Sequence, residues 1–176
     1  MREDIYKSSV KFKAKFSPQD FYGSLKRYIE NFGWKGKLGK DYYENYQYYK
    51  VSSEGLLFVE SVWVMQKEYW REEPRVIWEL KIIIRINAYN FSTQVGDIEI
   101  EISSSHEISD VQEPKIKSFL ENFLTYFGII PSFLKKEYEK TRLKGSGIKN
   151  RSSRDLYIEC EKIKEWIVNY FKGYYS

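Results

Sequence analysis

A chain of 176 residues with one cysteine, Cys160, has the length to bury an apolar core and cannot form an intrachain disulfide. Its net charge of +4 is unevenly placed: residues 1–40 carry +6, residues 41–134 carry −7 and residues 135–176 carry +5, so the ends can pair with the middle or build a basic face for an acidic partner. No apolar stretch follows Met1-Arg2-Glu3-Asp4, and the apolar run Ile82 to Ile86 is interrupted by Arg85, so neither a secretory leader nor a membrane span is expected and the expected location is cytoplasmic.

The first element is a strand. Val10, Phe12, Ala14 and Phe16 alternate with Lys11, Lys13 and Lys15, the period of a half-buried strand with a lysine face. Ser17-Pro18-Gln19-Asp20 then reads as a helix start, with a serine cap, proline at the first helical position and an acid three residues after the cap. Phe21, Leu25, Tyr28 and Phe32 mark one stripe of that helix, Gly33 stops it, and Gly36 to Gly39 reads as a loop.

A β-meander follows. Tyr42 to Val51 is dense in tyrosine, which suits a strand, and Ser52-Ser53-Glu54-Gly55 supplies a turn. Leu57, Val59, Trp63 and Met65 mark the next strand, and Arg71 to Pro74 reverses the chain. Val76, Trp78, Leu80, Ile82, Ile84, Ile86 and Ala88 form the clearest alternation, predicting the most buried strand face. After a loop at Asn90 to Gln94, Ile98, Ile100 and Ile102 alternate with Asp97, Glu99 and Glu101.

The last third reads as helical. Ile116, Phe119, Leu120, Phe123, Leu124 and Phe127 share one face of a segment opened by Pro114 and closed by Gly128. A second helix restarts at Pro131-Ser132 and runs to about Leu143, and Lys144-Gly145-Ser146-Gly147 breaks it. A final helix from about Arg154 to Phe171 buries Leu156, Cys160, Ile163, Ile167 and Tyr170. The expected fold is α+β: an antiparallel meander of about five strands, in the order β-α-β-β-β-β-α-α-α, packed by helices. One domain spans residues 1–176, strand-rich over 1–112 and helical over 113–176.

Few residues point to catalysis. His106 is the only histidine, no G-x-S-x-G surrounds a serine, and Cys160 sits on a buried helical stripe, so no catalytic residue is assigned. The histidine and cysteine content is too small for the usual zinc set, and no metal or cofactor is expected. Asp97, Glu99 and Glu101 form an acidic ladder that a Mg²⁺ ion can use. Cross-strand ion pairing is the better account: a hairpin pairing Ile86 with Ile98 puts Ile84 opposite Ile100 and Arg85 opposite Glu99.

Three groups of residues remain as binding candidates. Lys144, Lys149, Arg151 and Arg154 surround a glycine-bearing loop ahead of a helix, a place where an anion or nucleic-acid phosphate binds unpaired N–H groups. Tyr42, Tyr46 and Tyr48 share a strand face and suit a protein interface or stacking on unpaired bases. Trp63, Trp78, Phe119 and Trp166 are candidates to line a small-molecule pocket between the sheet and the last helices.

Many Lys, Glu, Ile and Tyr with one His, one Cys and two Met resembles a heat-adapted composition. The segments Phe21 to Ile29, Phe32-Gly33-Trp34, Gly96 to Ile100, Ile116 to Leu120 and Glu161 to Glu165 resemble, in their order, a family of small uncharacterised archaeal proteins. That resemblance implies no activity and no site residues, and Gly145 to Ser153 departs from it. The element order is also similar to the START-like helix-grip fold, in which a curved antiparallel sheet wraps a C-terminal helix over a cavity. One helix here replaces the two expected after the first strand. The resulting expectation is a non-catalytic binding or adaptor domain for a macromolecular partner, protein in preference to RNA. A START-like ligand pocket and an RNA-binding basic face are the alternatives.

Overall fold

The computed structural model describes residues 2–37, 42–71, 75–109 and 132–173, and the side chains of 132–146 are outside that description. The predicted segment 114–127 and its Phe119 lie outside the described residues, as do residues 72–74 of the predicted turn. In chain order the elements are β1 (Arg2–Lys15), α1 (Pro18–Asn31), β2 (Lys35–Gly36), β3 (Glu44–Val51), β4 (Leu56–Trp70), β5 (Val76–Asn90), β6 (Val95–Ile108) and the helix α2 (Ser132–Lys172). The strands form one antiparallel sheet in the order β1-β6-β5-β4-β2, and β3 also pairs with β4. The fold is therefore α+β with an antiparallel sheet. The short β2, in a stretch that reads as loop, pairs Lys35 with Gln66 and Gly36 with Met65, so β2 and β3 follow one another along the same edge of β4.

The local signals before and between the strands are realised. Ser17 is extended and its Oγ accepts the Asp20 N–H at 3.3 Å, Pro18 follows at the first helical position, and Gly33 leaves the helix at φ +80°. The buried stripe of α1 is Phe21, Leu25 and Ile29, with Tyr28 and Phe32 half-buried beside it. Gly55, at φ +78°, closes the Ser52 turn, and Asn90 Oδ1 caps its own loop by accepting from the N–H groups of Ser92 and Thr93.

The β5–β6 register matches the hairpin expectation residue for residue: Ile86 opposes Ile98, Arg85 opposes Glu99 and Ile84 opposes Ile100. Val76 through Ile86 at every second position are 0–2 % exposed and form the floor of the core. The alternation does not extend to Ala88. That residue sits exposed at φ +51° in a register shift between Asn87 and Asn90, and Tyr89 takes the inward place, its hydroxyl donating to Phe16 O at 2.9 Å.

The greatest departure is α2. No break occurs at Lys144-Gly145-Ser146-Gly147; the helix is continuous from Ser132 to Lys172. A glycine inside a helix costs only about 1 kcal/mol. Against that stands an inward stripe of Ser152, Leu156, Cys160, Ile163, Ile167 and Phe171, all fully buried on the sheet, with Ile148 packed behind it. Phe171, rather than Tyr170, ends the stripe, stacked on Phe12 and in edge contact with Phe16. Both helices lie on the same face of the sheet: Tyr22 of α1 meets Trp63, and Phe21 meets Phe171 of α2.

Candidate functional site

The chemically richest place in the described residues is a polar and aromatic belt beneath α2. Its members come from strands β1, β4, β5 and β6, from Trp34 just before β2, and from one face of the helix. Glu159 accepts from Trp34 Nε1 and from Lys67 Nζ, the latter at 2.9 Å. The Lys67 ammonium also lies over the rings of Trp34 and Trp78, 5.8 and 5.3 Å from their centroids. Tyr69 stacks on Trp78 and donates its hydroxyl to Asp155 at 2.7 Å, and burial, helped by that hydrogen bond, raises the phenol pKa to about 12.

The belt continues through Ser152. Trp78 Nε1 donates to Ser152 Oγ at 2.8 Å, Ser152 Oγ lies 3.2 Å from His106 Nδ1, and His106 Nε2 lies 3.4 Å from Glu3 Oε2. Lys149 Nζ binds the same Glu3 oxygen at 2.7 Å. Burial lowers the His106 pKa, against the opposing pull of Glu3, so the ring is neutral. The hydrogen-bond pattern then assigns the protons: Ser152 donates to Nδ1, and Nε2–H donates to Glu3. A serine, a histidine and a carboxylate stand in line, but Ser152 and His106 are 0 % and 1 % exposed and the serine oxygen is already an acceptor for tryptophan. Chemistry on a substrate needs a reachable nucleophile. The array instead ties β1, β5 and β6 to the helix. His106 is thus an interior residue on β6.

Cys160 is buried, donates to Ser104 Oγ at 3.3 Å, and burial raises its thiol pKa to about 12. A thiol so held is not a nucleophile at neutral pH.

The tyrosine group stands at the opposite extreme of exposure. Among the described residues β3 pairs with β4 alone, and Tyr46 and Tyr48 stand opposite Val62 and Glu60 on one face. Tyr42, Tyr46, Tyr48 and Tyr49 are 56, 52, 48 and 73 % exposed. Tyr42 precedes the strand, and a register shift between Glu44 and Tyr46 separates it from the other two. Tyr43 turns inward, its hydroxyl donating to Trp34 O at 3.1 Å.

The basic group is placed differently from its expected loop. Lys149, Arg151 and Arg154 lie inside α2, so no helix start offers its N–H groups there; the side chain of Lys144 lies outside the description. Lys149 is engaged by Glu3, Arg154 approaches Asp155 at 3.6 Å, and Arg151 is exposed. The lysine face of β1 is exposed, with Lys11 bound to Glu99 at 3.0 Å and Lys13 opposite Asp97. Glu101 binds Arg85, which also reaches Glu60 at 3.2 Å. The acidic ladder is therefore an ion-paired face, with Lys11 rather than Arg85 as the partner of Glu99.

Of the tryptophans of the pocket reading, Trp63 and Trp78 are packed into the interior and Trp166 is half-buried. Trp63 and Trp78 are 1 and 2 % exposed, Trp63 against Tyr22 and Tyr43 and Trp78 against Tyr69 and Trp34, while Trp166 stacks on Tyr28. Sequence reasoning missed Lys67, Asp155, Glu159, Glu3 and Ser152. Glu159 adjoins the buried Cys160 on the helix, and Lys67 falls on the inward period of Trp63 and Met65. A carboxylate and a lysine at inward positions were the available signal.

The class these observations define is an antiparallel α+β domain with a hydrogen-bonded polar interior beneath α2 and one tyrosine-bearing sheet edge among the described residues. No family model matches the chain, and neither the curated proteins nor the solved structures contain a match to it. No helix among the described residues is long and apolar enough to cross a membrane.

Proposed function

We propose that the chain is a non-catalytic binding domain that takes a protein partner along the edge of β3 that pairs with no strand among the described residues. The observation that carries this reading is the strand's one-sided pairing combined with its tyrosines. A strand bonded on one side presents a row of N–H and C=O groups to a second chain, and large amphipathic rings beside that row supply contact area at small conformational cost. An extended segment of the partner adds beside β3, with Tyr46 and Tyr48 covering it on one face and Tyr49 on the other. RNA is the weaker reading, because Lys11 and Lys149, two of the cations it would use, are engaged by Glu99 and Glu3.

The test is a photoreactive phenylalanine analogue placed at Tyr48, with Tyr157 on α2 as the control position, irradiated in native extract with and without nuclease. The expected result is a discrete protein adduct from position 48 that survives nuclease and is absent from position 157. Nuclease-sensitive adducts would make the edge an RNA platform, and identical adducts at both positions would remove it as an interface.

A further inference from the structure

The sheet face turned away from α1 and α2 carries a cleft of about 310 Å³ over strands β1, β6 and β5, at the lower end of the size of ligand sites. It lies across the sheet from the β3 edge, and nothing in the reading of that edge depends on it. Its floor departs from the ion-pair pattern of the rest of the face. Lys11 and Lys13 stand opposite the acids Glu99 and Asp97, but two rows further on Lys7 stands opposite Ser103, and Ser103 opposite Lys81. Two exposed lysines thus flank one serine across three adjacent strands, their Cα atoms roughly 10 Å apart at ordinary strand spacing.

Of the three carboxylates that line the cleft, two are held by other cations and the third, Asp4, lies one outward row along. Glu79 is taken by Arg2 at 2.7 Å and Lys37 at 3.4 Å, and Glu101 is taken by Arg85. Neither Lys7 nor Lys81 forms an ion pair within the described residues. Ser105, two residues along β6, lines the same cleft with Asp4 opposite it.

We propose that this cleft binds a small phosphate monoester, its phosphate seated over Ser103 between the ammonium groups of Lys7 and Lys81. A phosphate monoester near neutral pH carries a charge of about −1.5 to −2, which matches two lysines, whereas a carboxylate matches one. Lysine serves as a mobile point charge for phosphate, and the serine hydroxyls donate to its oxygens. Asp4, about 7 Å from the Lys7 row by strand rise, accepts from the hydroxyls of the esterified part and sets the ligand's direction.

The experiment is an amide NMR titration of the full chain with ribose 5-phosphate, inorganic phosphate and ribose as probes. Ribose 5-phosphate is expected to give saturable shifts centred on Lys7, Lys81, Ser103 and Ser105; inorganic phosphate shifts the same signals at least fivefold more weakly, and ribose shifts none. Lys7→Gln and Lys81→Gln each weaken the ester at least fivefold, and Lys15→Gln, on the same strand beyond the cleft, leaves it unchanged. The spectra report folding of each variant directly. Equal affinity for inorganic phosphate would overturn the ester in favour of a bare anion site. Non-saturating shifts, an equal loss in Lys15→Gln, or no shift at all would overturn the site.

Discussion

Trp78 and Ser152 stand 74 residues apart in the chain and meet in a 2.8 Å hydrogen bond, the indole N–H of β5 donating to the hydroxyl of α2. Both are buried, and the same hydroxyl serves His106 Nδ1. Ser152→Ala therefore strands two buried polar atoms at once. Each such group costs about 1–3 kcal/mol when left unpaired. The expected loss of unfolding free energy in urea is about 2 kcal/mol or more, and a change under about 0.5 kcal/mol would show that the belt does not hold the helix.

His106 makes that belt sensitive to acid. Burial lowers its pKa in the folded chain, so the unfolded chain binds more protons between the folded value and the ordinary value near 6.5. Stability is then full above the ordinary value and falls as pH drops through that window. Glu3, whose pKa is lowered first by its hydrogen bond from Lys149, acts in the same direction at more acid pH. Urea midpoints measured from pH 7.5 to 5 should hold down to about pH 6.5 and then fall for the native chain, and this fall should flatten in His106→Gln. An equal slope in both would mean that another group sets the acid limit.

Gly147 distinguishes the helix from the loop that the local sequence suggests. It is exposed within α2 and nothing lies within 4 Å of where a Cβ would stand. In a helix interior, alanine for glycine is worth about 0.5–1 kcal/mol. Gly147→Ala should raise the thermal midpoint and leave the far-ultraviolet spectrum at least as helical. A lowered midpoint would place residue 147 outside the helix.

Gly96 has the opposite character. A Cβ there would stand 2.9 Å from both Cα and Cβ of Tyr89, and backbone cannot move aside as a side-chain end can. Overpacking of this kind costs about 1–3 kcal/mol. Gly96→Ala should lower the urea midpoint accordingly, and Gly23→Ala, at an open exposed helix position, should not.

Most of the sheet was legible, from the second half of β1 and across β3 to β6, because its signal is local; the first half of β1 and the two-residue β2 carry no such alternation. Alternation of Ile82, Ile84 and Ile86 against Ile98, Ile100 and Ile102 specifies both the buried face and the pairing, since a one-residue slip would turn every isoleucine to solvent. The cap at Ser17 and the turn at Gly55 were legible for the same reason: each is a property of four consecutive residues. What the chain could not declare locally was the outcome of competition between near and distant forces. Glycines 145 and 147 argue for a break worth about 1 kcal/mol apiece, and the burial of Ser152, Leu156 and Cys160 against the sheet outweighs them. Whether a serine, a lysine or a histidine is surface or interior likewise depends on what faces it. Lys67 and Lys7 are both strand lysines, yet one is enclosed by Trp34, Trp78 and Glu159 and the other stands open beside Ser103. Strand periodicity sets which side of the sheet each lysine takes, and only the packing of α2 on one of those sides decides which becomes part of the interior.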